Sequence, residues 1–131
     1  MIGLDSSVLI RHLAQDDPVE SPRATRFIEQ TLSADRPGYV SLVVMTEIAW
    51  VLERSYGLSG SRLAAVIERM LRIVSLVVEA DQAVFSAIVA LRESRMSFAG
   101  ALIGALHAKA GCTATITFDR QATQSADFEL L

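Results

Sequence analysis

The stretch whose reading decides the fold is Met1-Ile2-Gly3-Leu4-Asp5-Ser6-Ser7-Val8-Leu9-Ile10-Arg11-His12, in which a short apolar run meets an acid and two small hydroxyl residues before an apolar stretch resumes. It reads as a buried strand delivering Asp5 to the end of a sheet. Strands of an α/β sheet are covered on both faces and lack apolar–polar alternation, so this segment suits the first-laid, central strand. In open parallel sheets ligands bind beyond the carboxyl ends of the strands, where Asp5 stands.

Outward from that strand, Ser6 or Ser7 is expected to cap a helix through about Ala14, ended by Gln15-Asp16-Asp17-Pro18. Ser21-Pro22 reads as an N-cap with proline in the first helical position, opening a helix with Ala24, Phe27, Ile28 and Leu32 on one face. After the turn Asp35-Arg36-Pro37-Gly38, Tyr39-Val40-Ser41 is a short strand feeding a helix from Leu42 to about Tyr56, closed by Gly57. Ser59 caps a helix to about Leu71, and Ile73 to Val78 is a β-branched strand. Asp81 caps a helix to about Arg95, and after a break at Met96-Ser97 another runs from Phe98 to Ala110 with Gly111 at its end. Ala114 to Phe118 is a strand, Asp119 caps a last helical turn, and Asp127 to Leu131 is an edge strand. Strands alternating with helices predict a single-domain, three-layer α/β/α sandwich over residues 1–131 with a mostly parallel central sheet.

With 51% apolar and 21% charged residues the chain is rich in core, and its mean hydropathy of +0.37 points to an apolar patch for self-association. A net charge of -3 gives no bulk attraction to polyanions, so nucleic-acid binding requires a local cluster of the twelve cations. The lone Cys112 has no internal disulfide partner and is expected as a small core residue. The apolar runs are broken by Glu47, Glu53, Arg72 and Glu79 well short of a membrane span and no secretory pattern is visible, which predicts a cytoplasmic protein.

Glu47 is the most informative single residue. Val43, Val44, Trp50 and Val51 surround it at helical spacing, so its carboxylate is expected inside an apolar face, where it needs a proton, a metal or the cation of a salt bridge. Asp5 and Asp119 each read singly as helix N-caps; together they are two strand-end acids at one edge, with a helical Glu pointing at them. Like charges gathered in this way repel unless a cation neutralises them, and hard ions such as Mg²⁺ prefer oxygen ligands. Arg11, Arg54 and Arg120 read as acid-paired rather than phosphate-holding, His12 and His107 as surface residues without ligand spacing, and Trp50 as core or interface rather than a stacking platform.

Four short motifs in order, Gly3-Leu4-Asp5-Ser6-Ser7-Val8-Leu9, Ser41-Leu42-Val43-Val44 leading to Glu47, Phe98-Ala99-Gly100-Ala101-Leu102-Ile103, and Thr117-Phe118-Asp119-Arg120, resemble the PIN-domain nucleases. Within them the chain looks most like the VapC-type toxins of bacterial toxin–antitoxin pairs. The resemblance spans essentially the whole chain. It implies a metal-dependent endoribonuclease, often dimeric, cutting RNA with Mg²⁺ or Mn²⁺ and paired with an antitoxin protein. Asp5, Glu47 and Asp119 match family metal-site and catalytic acids, and Ser6 and Thr117 match auxiliary hydroxyl positions. One departure is serious: a family acid position is occupied by Gly100, and another, more variable one by Ser97. A variant with a weakly held metal and an inactivated copy that still binds antitoxin, itself or RNA both accord with this. A response-regulator-like acidic pocket is disfavoured, because Lys109, the single lysine, is on a helix.

Overall fold

The computed structural model describes residues 1–93 and 96–131. In chain order the elements are β1 (Ile2–Gly3), α1 (Ser6–Ala14), α2 (Glu20–Arg26), β2 (Gly38–Val40), α3 (Leu42–Ser55), α4 (Gly60–Leu71), β3 (Leu76–Val78), α5 (Asp81–Glu93), α6 (Phe98–Lys109), β4 (Thr115–Thr117) and β5 (Phe128–Leu130). The expected end of α5 at Arg95 lies outside the described residues. Every described strand pairing is parallel, as expected of strands joined through helices.

The sheet is divided. β1, β2 and β3 pair in that order, with Gly3 opposite Tyr39 and Tyr39 opposite Val77, while β4 and β5 form a separate pair. β1 is therefore the edge of its sheet rather than a buried central strand, and Ile2 and Gly3 are exposed. β4 pairs with β5 alone among the described strands, and Ile116 within it and Phe118 just after it are exposed. Leu4 and Leu9, flanking the acid and hydroxyls, do reach the core.

Helical periodicity builds the rest of that core. α3 buries Met45, Ile48, Ala49 and Leu52; α4 buries Leu63, Ala64, Ile67 and Met70; α5 buries Val84, Ala87, Ile88 and Leu91. Each set recurs at one-, three- and four-residue steps, the signature of one covered face. Phe98, fully buried, anchors the start of α6. Gly104 lets α6 meet β5 closely, since a Cβ there would lie 2.8 Å from the Phe128 ring.

Local signals placed most helix ends. Ser41 caps α3 by accepting a hydrogen bond from the Val44 N–H at 3.2 Å, and Gly57 and Gly111 take the left-handed conformation expected after helices. Others shifted. The N-cap position of α1 is Asp5 rather than either serine, and α1 ends at Gln15 in the left-handed region. α2 starts at Glu20, before Ser21, because Asp17 Oδ1 accepts from the Val19 and Glu20 N–H groups at 2.9 and 2.6 Å. α2 continues into a π-helical turn over Phe27–Thr31, where the Leu32 N–H reaches the Phe27 carbonyl five residues back at 3.0 Å. β3 begins only at Leu76, whose N–H donates to the Ile73 carbonyl in a preceding turn. Cys112 is exposed rather than core, because it falls in the turn beyond α6 and donates its N–H to His107.

Candidate active site

Asp5 leaves β1 at the head of α1 without capping it; instead the Ser7 hydroxyl donates to Asp5 Oδ2 at 2.9 Å. Ser6, only 4% exposed, donates its hydroxyl to Glu47 Oε1 across the contact with α3. The first turn of α1 thus ties Asp5 and Glu47 into one neighbourhood. Glu47 is exposed, contrary to the expectation of a carboxylate buried in an apolar face. The core face of α3 carries Met45, Ile48, Ala49 and Leu52, so Val43, Glu47 and Trp50 fall on the opposite, open stripe, and the partner of Glu47 is a hydroxyl instead of a cation.

A second neighbourhood forms where β4 ends. The Asp119 N–H donates to Thr117 Oγ1 at 3.0 Å, and Asp119 Oδ1 accepts from the Gln121 N–H at 2.9 Å, which bends the chain just after β4; the helical turn Ala122–Gln124 itself has Gln121, not Asp119, at its N-cap position. Both residues line a pocket of about 390 Å³ that also holds Ser97, Gly100 and Gln121, with Met96, Ile103 and Phe128 as apolar walls. Ser97 is the N-cap of α6 and accepts from the Gly100 N–H at 3.1 Å, which places Gly100 at the third helical position. Acids are favoured there, reaching back to the cap and interacting with the helix dipole. Nothing in the backbone demands glycine: its φ is not positive, and an added Cβ would meet the Met96 methyl and Ser97 Oγ at 3.3 Å.

Two glutamates that sequence reasoning missed hold the helices in place. Glu79, just past β3, accepts from the Leu42 N–H at 2.8 Å at the start of α3. Glu53 on α3 accepts from the Phe98 N–H at the start of α6, and burial raises its pKa against the opposing pull of that bond and of Arg54. Both contacts join residues far apart in sequence, so no local pattern announces them.

The structure therefore groups Asp5 with Ser6 and Glu47, and Asp119 with Thr117 and Gly100. Oxygen donors of this kind suit a hard divalent ion. Among the described residues no group of three or more acids, histidines or cysteines stands ready to hold a metal ion. The donor chemistry of Asp5, Glu47 and Asp119 is that which Mg²⁺ or Mn²⁺ prefers.

The remaining candidates resolve simply. Arg11 lies 3.7, 3.9 and 3.1 Å from carboxylates of Asp16, Asp17 and Glu20, an acid-paired cation as expected. His12 and His107 hydrogen-bond Thr25 and Thr115, each at 2.9 Å. Trp50 is 56% exposed and so is not core, and Arg54 lies over its ring.

Parallel strands joined through helices, with acids after β1 and β4 and another on α3, define an α/β class with its candidate site at strand ends. The PIN domain family model matches residues 2–127, and the chain belongs to the PIN domain family. Among solved structures the chain is similar to the Mycobacterium tuberculosis toxin VapC20, described as cleaving the sarcin–ricin loop, at 21% identity over 95% of this chain and 94% of that one, with a TM-score of 0.47. No curated protein matches at a significant level. Among the described residues no helix is long and apolar enough to cross a membrane.

Proposed function

We propose that the chain is a cytoplasmic VapC-type toxin, an endoribonuclease built to use Mg²⁺ or Mn²⁺ and paired with a cognate antitoxin protein, and that its metal site is impaired as the sequence stands. Asp5, Glu47 and Asp119 are the proposed metal-holding and catalytic acids, with Ser6 and Thr117 as auxiliary hydroxyls. Membership of the PIN domain family supports the nuclease reading. The observation that carries the impairment is Gly100, which stands in the pocket of Thr117 and Asp119 where the family pattern has an acid. Calorimetric titration with Mn²⁺ and incubation with a mixed RNA pool test the reading: weak or absent heat and slow or absent cutting are expected, and tight binding with rapid cutting refutes the impairment.

The hydrogen bonds that already engage Asp5 and Glu47 favour a second reading, an inactive PIN module that binds antitoxin, itself or RNA without cutting. It predicts that no substitution at position 100 restores cleavage. A homodimer is part of either reading. Phe85 and Val89, one turn apart on α5 and both exposed, supply apolar helical surface for it. Sedimentation at micromolar concentration is expected to give a dimer, and a monomer alone counts against it.

A further inference from the structure

Val43, Glu47, Trp50 and Arg54 recur at three- and four-residue steps and form one exposed stripe of α3. The Arg54 guanidinium carbon sits 5.3 Å from the centroid of the Trp50 ring, within cation–π range. Trp50 also lines an apolar groove of about 570 Å³ between α3 and α6, whose walls include Leu102, Ile103 and Leu106 and which Glu47 also lines. The indole is therefore shared between a cation and an open apolar wall, one helical turn from a proposed metal-holding acid.

We propose that this stripe is a nucleotide subsite for single-stranded RNA, in which a base stacks on Trp50 in the groove and Arg54 takes the adjoining phosphate. The proposal rests on the ribonuclease reading and deepens it by saying where the substrate lies. Charge complementarity selects this occupant. A ligand with a π face and a negative charge matches an indole beside a guanidinium, whereas an apolar helix laid in the groove would cover Glu47 and Arg54 without supplying their partners. Among the described residues Arg54 lies within 4 Å of no carboxylate: its acidic neighbour Glu53 attracts it at longer range but accepts its hydrogen bond from the Phe98 N–H. Every base has a π face, so the subsite positions RNA without choosing its sequence.

Trp50 is the single tryptophan of the chain, so its fluorescence reports on this position alone. An eight-residue single-stranded oligoribonucleotide is titrated at low salt with Mg²⁺, following Trp50 emission and the anisotropy of a label on the RNA, with RNA length checked on a denaturing gel. Saturable quenching that parallels anisotropy is expected, with roughly tenfold or greater loss of affinity in Trp50→Ala. Arg54→Gln should weaken binding and flatten its salt dependence, and Trp50→Phe should recover most of the affinity. RNA binding with unchanged emission overturns the subsite and leaves the ribonuclease reading intact. Absence of RNA binding removes both. A shift in Trp50 emission on raising protein concentration alone, together with sedimentation as a dimer that Trp50→Ala abolishes, assigns the groove to a second copy and overturns the proposal.

Discussion

Replacing Gly100 by Asp is expected to convert a chain that binds divalent ions weakly into one that binds them and cuts RNA. Sterically the backbone is already helical, but the Cβ meets the Met96 methyl and the Ser97 hydroxyl at 3.3 Å, so the flexible Met96 side chain must give by a few tenths of an ångström while Ser97 keeps its cap bond. Glycine in a helix interior costs roughly 1 kcal/mol relative to Ala, somewhat less near an end. An acid in the first turn contributes about 0.3–1 kcal/mol through the dipole, so stability without metal should change little once the new carboxylate's repulsion with Asp119 is included. Metal should then raise stability in the variant alone. At Mn²⁺ one hundred times its dissociation constant the increment is about 2.7 kcal/mol. Taking ~2.1 cal/mol/K per residue for the unfolding entropy of 131 residues, that is a rise in melting temperature of about 10 °C. The assay is thermal unfolding with and without Mn²⁺, beside cleavage of an RNA pool, on the original chain, on Gly100→Asp, and on Gly100→Asp carrying Asp5→Asn. Only the single variant should show both effects. If the original responds to Mn²⁺ and cuts as well as the variant, the missing acid is dispensable and the reasoning fails; if the folded variant neither binds nor cuts, the chain is a binding module.

Gly104→Ala should destabilise the chain by about 1–3 kcal/mol in urea unfolding, because the methyl group would press on the Phe128 ring, and Phe128→Leu in the same chain should recover part of the loss. Burial raises the pKa of Glu53, so folding binds a proton more readily there; its contribution is greatest below the ordinary value of 4.5 and is lost as pH rises through the raised one. Glu53→Gln should therefore flatten the stability–pH curve from 4.5 upward, and an unchanged slope would mean that Glu53 is solvated. Asp17 is the reverse case: the N–H groups of Glu20 and then Val19 depress its pKa below 3.8, so its stabilising effect is present above 3.8 and disappears as pH falls through the depressed value. Asp17→Ala should lower the melting temperature at neutral pH and make little difference in strong acid.

How much of this was legible in the sequence depended on the range of the signal. Ser41, Gly57 and Gly111 mark helix ends through bonds and dihedrals within a few residues, and they read correctly. Ser97 is just as local, but without an acid three residues on it read as a break rather than a cap. The stripe containing Glu47 was recognised as one face of α3; spacing says which residues share a face, and only packing says whether a neighbour covers it. β1 was misread for the same reason, since an apolar strand does not disclose how many partners it pairs with. The three acids are singled out by strand ends and motif order, while a contact such as that of Ser6 with Glu47 joins distant residues and leaves no local pattern to read.

The π-helical turn over Phe27–Thr31 bears on how this chain should be compared with its relatives. Such a turn closes over five residues where an α-turn closes over four, so it carries one surplus residue in a segment that faces the core through Ala24 before it, Ile28 within it and Leu32 at its end. A one-residue gap in any alignment of the region belongs inside 27–31 and nowhere in the flanking turns. Placed elsewhere, it would rotate the intervening residues by about 100° and match buried positions with exposed ones over the whole interval between the true and the assigned position.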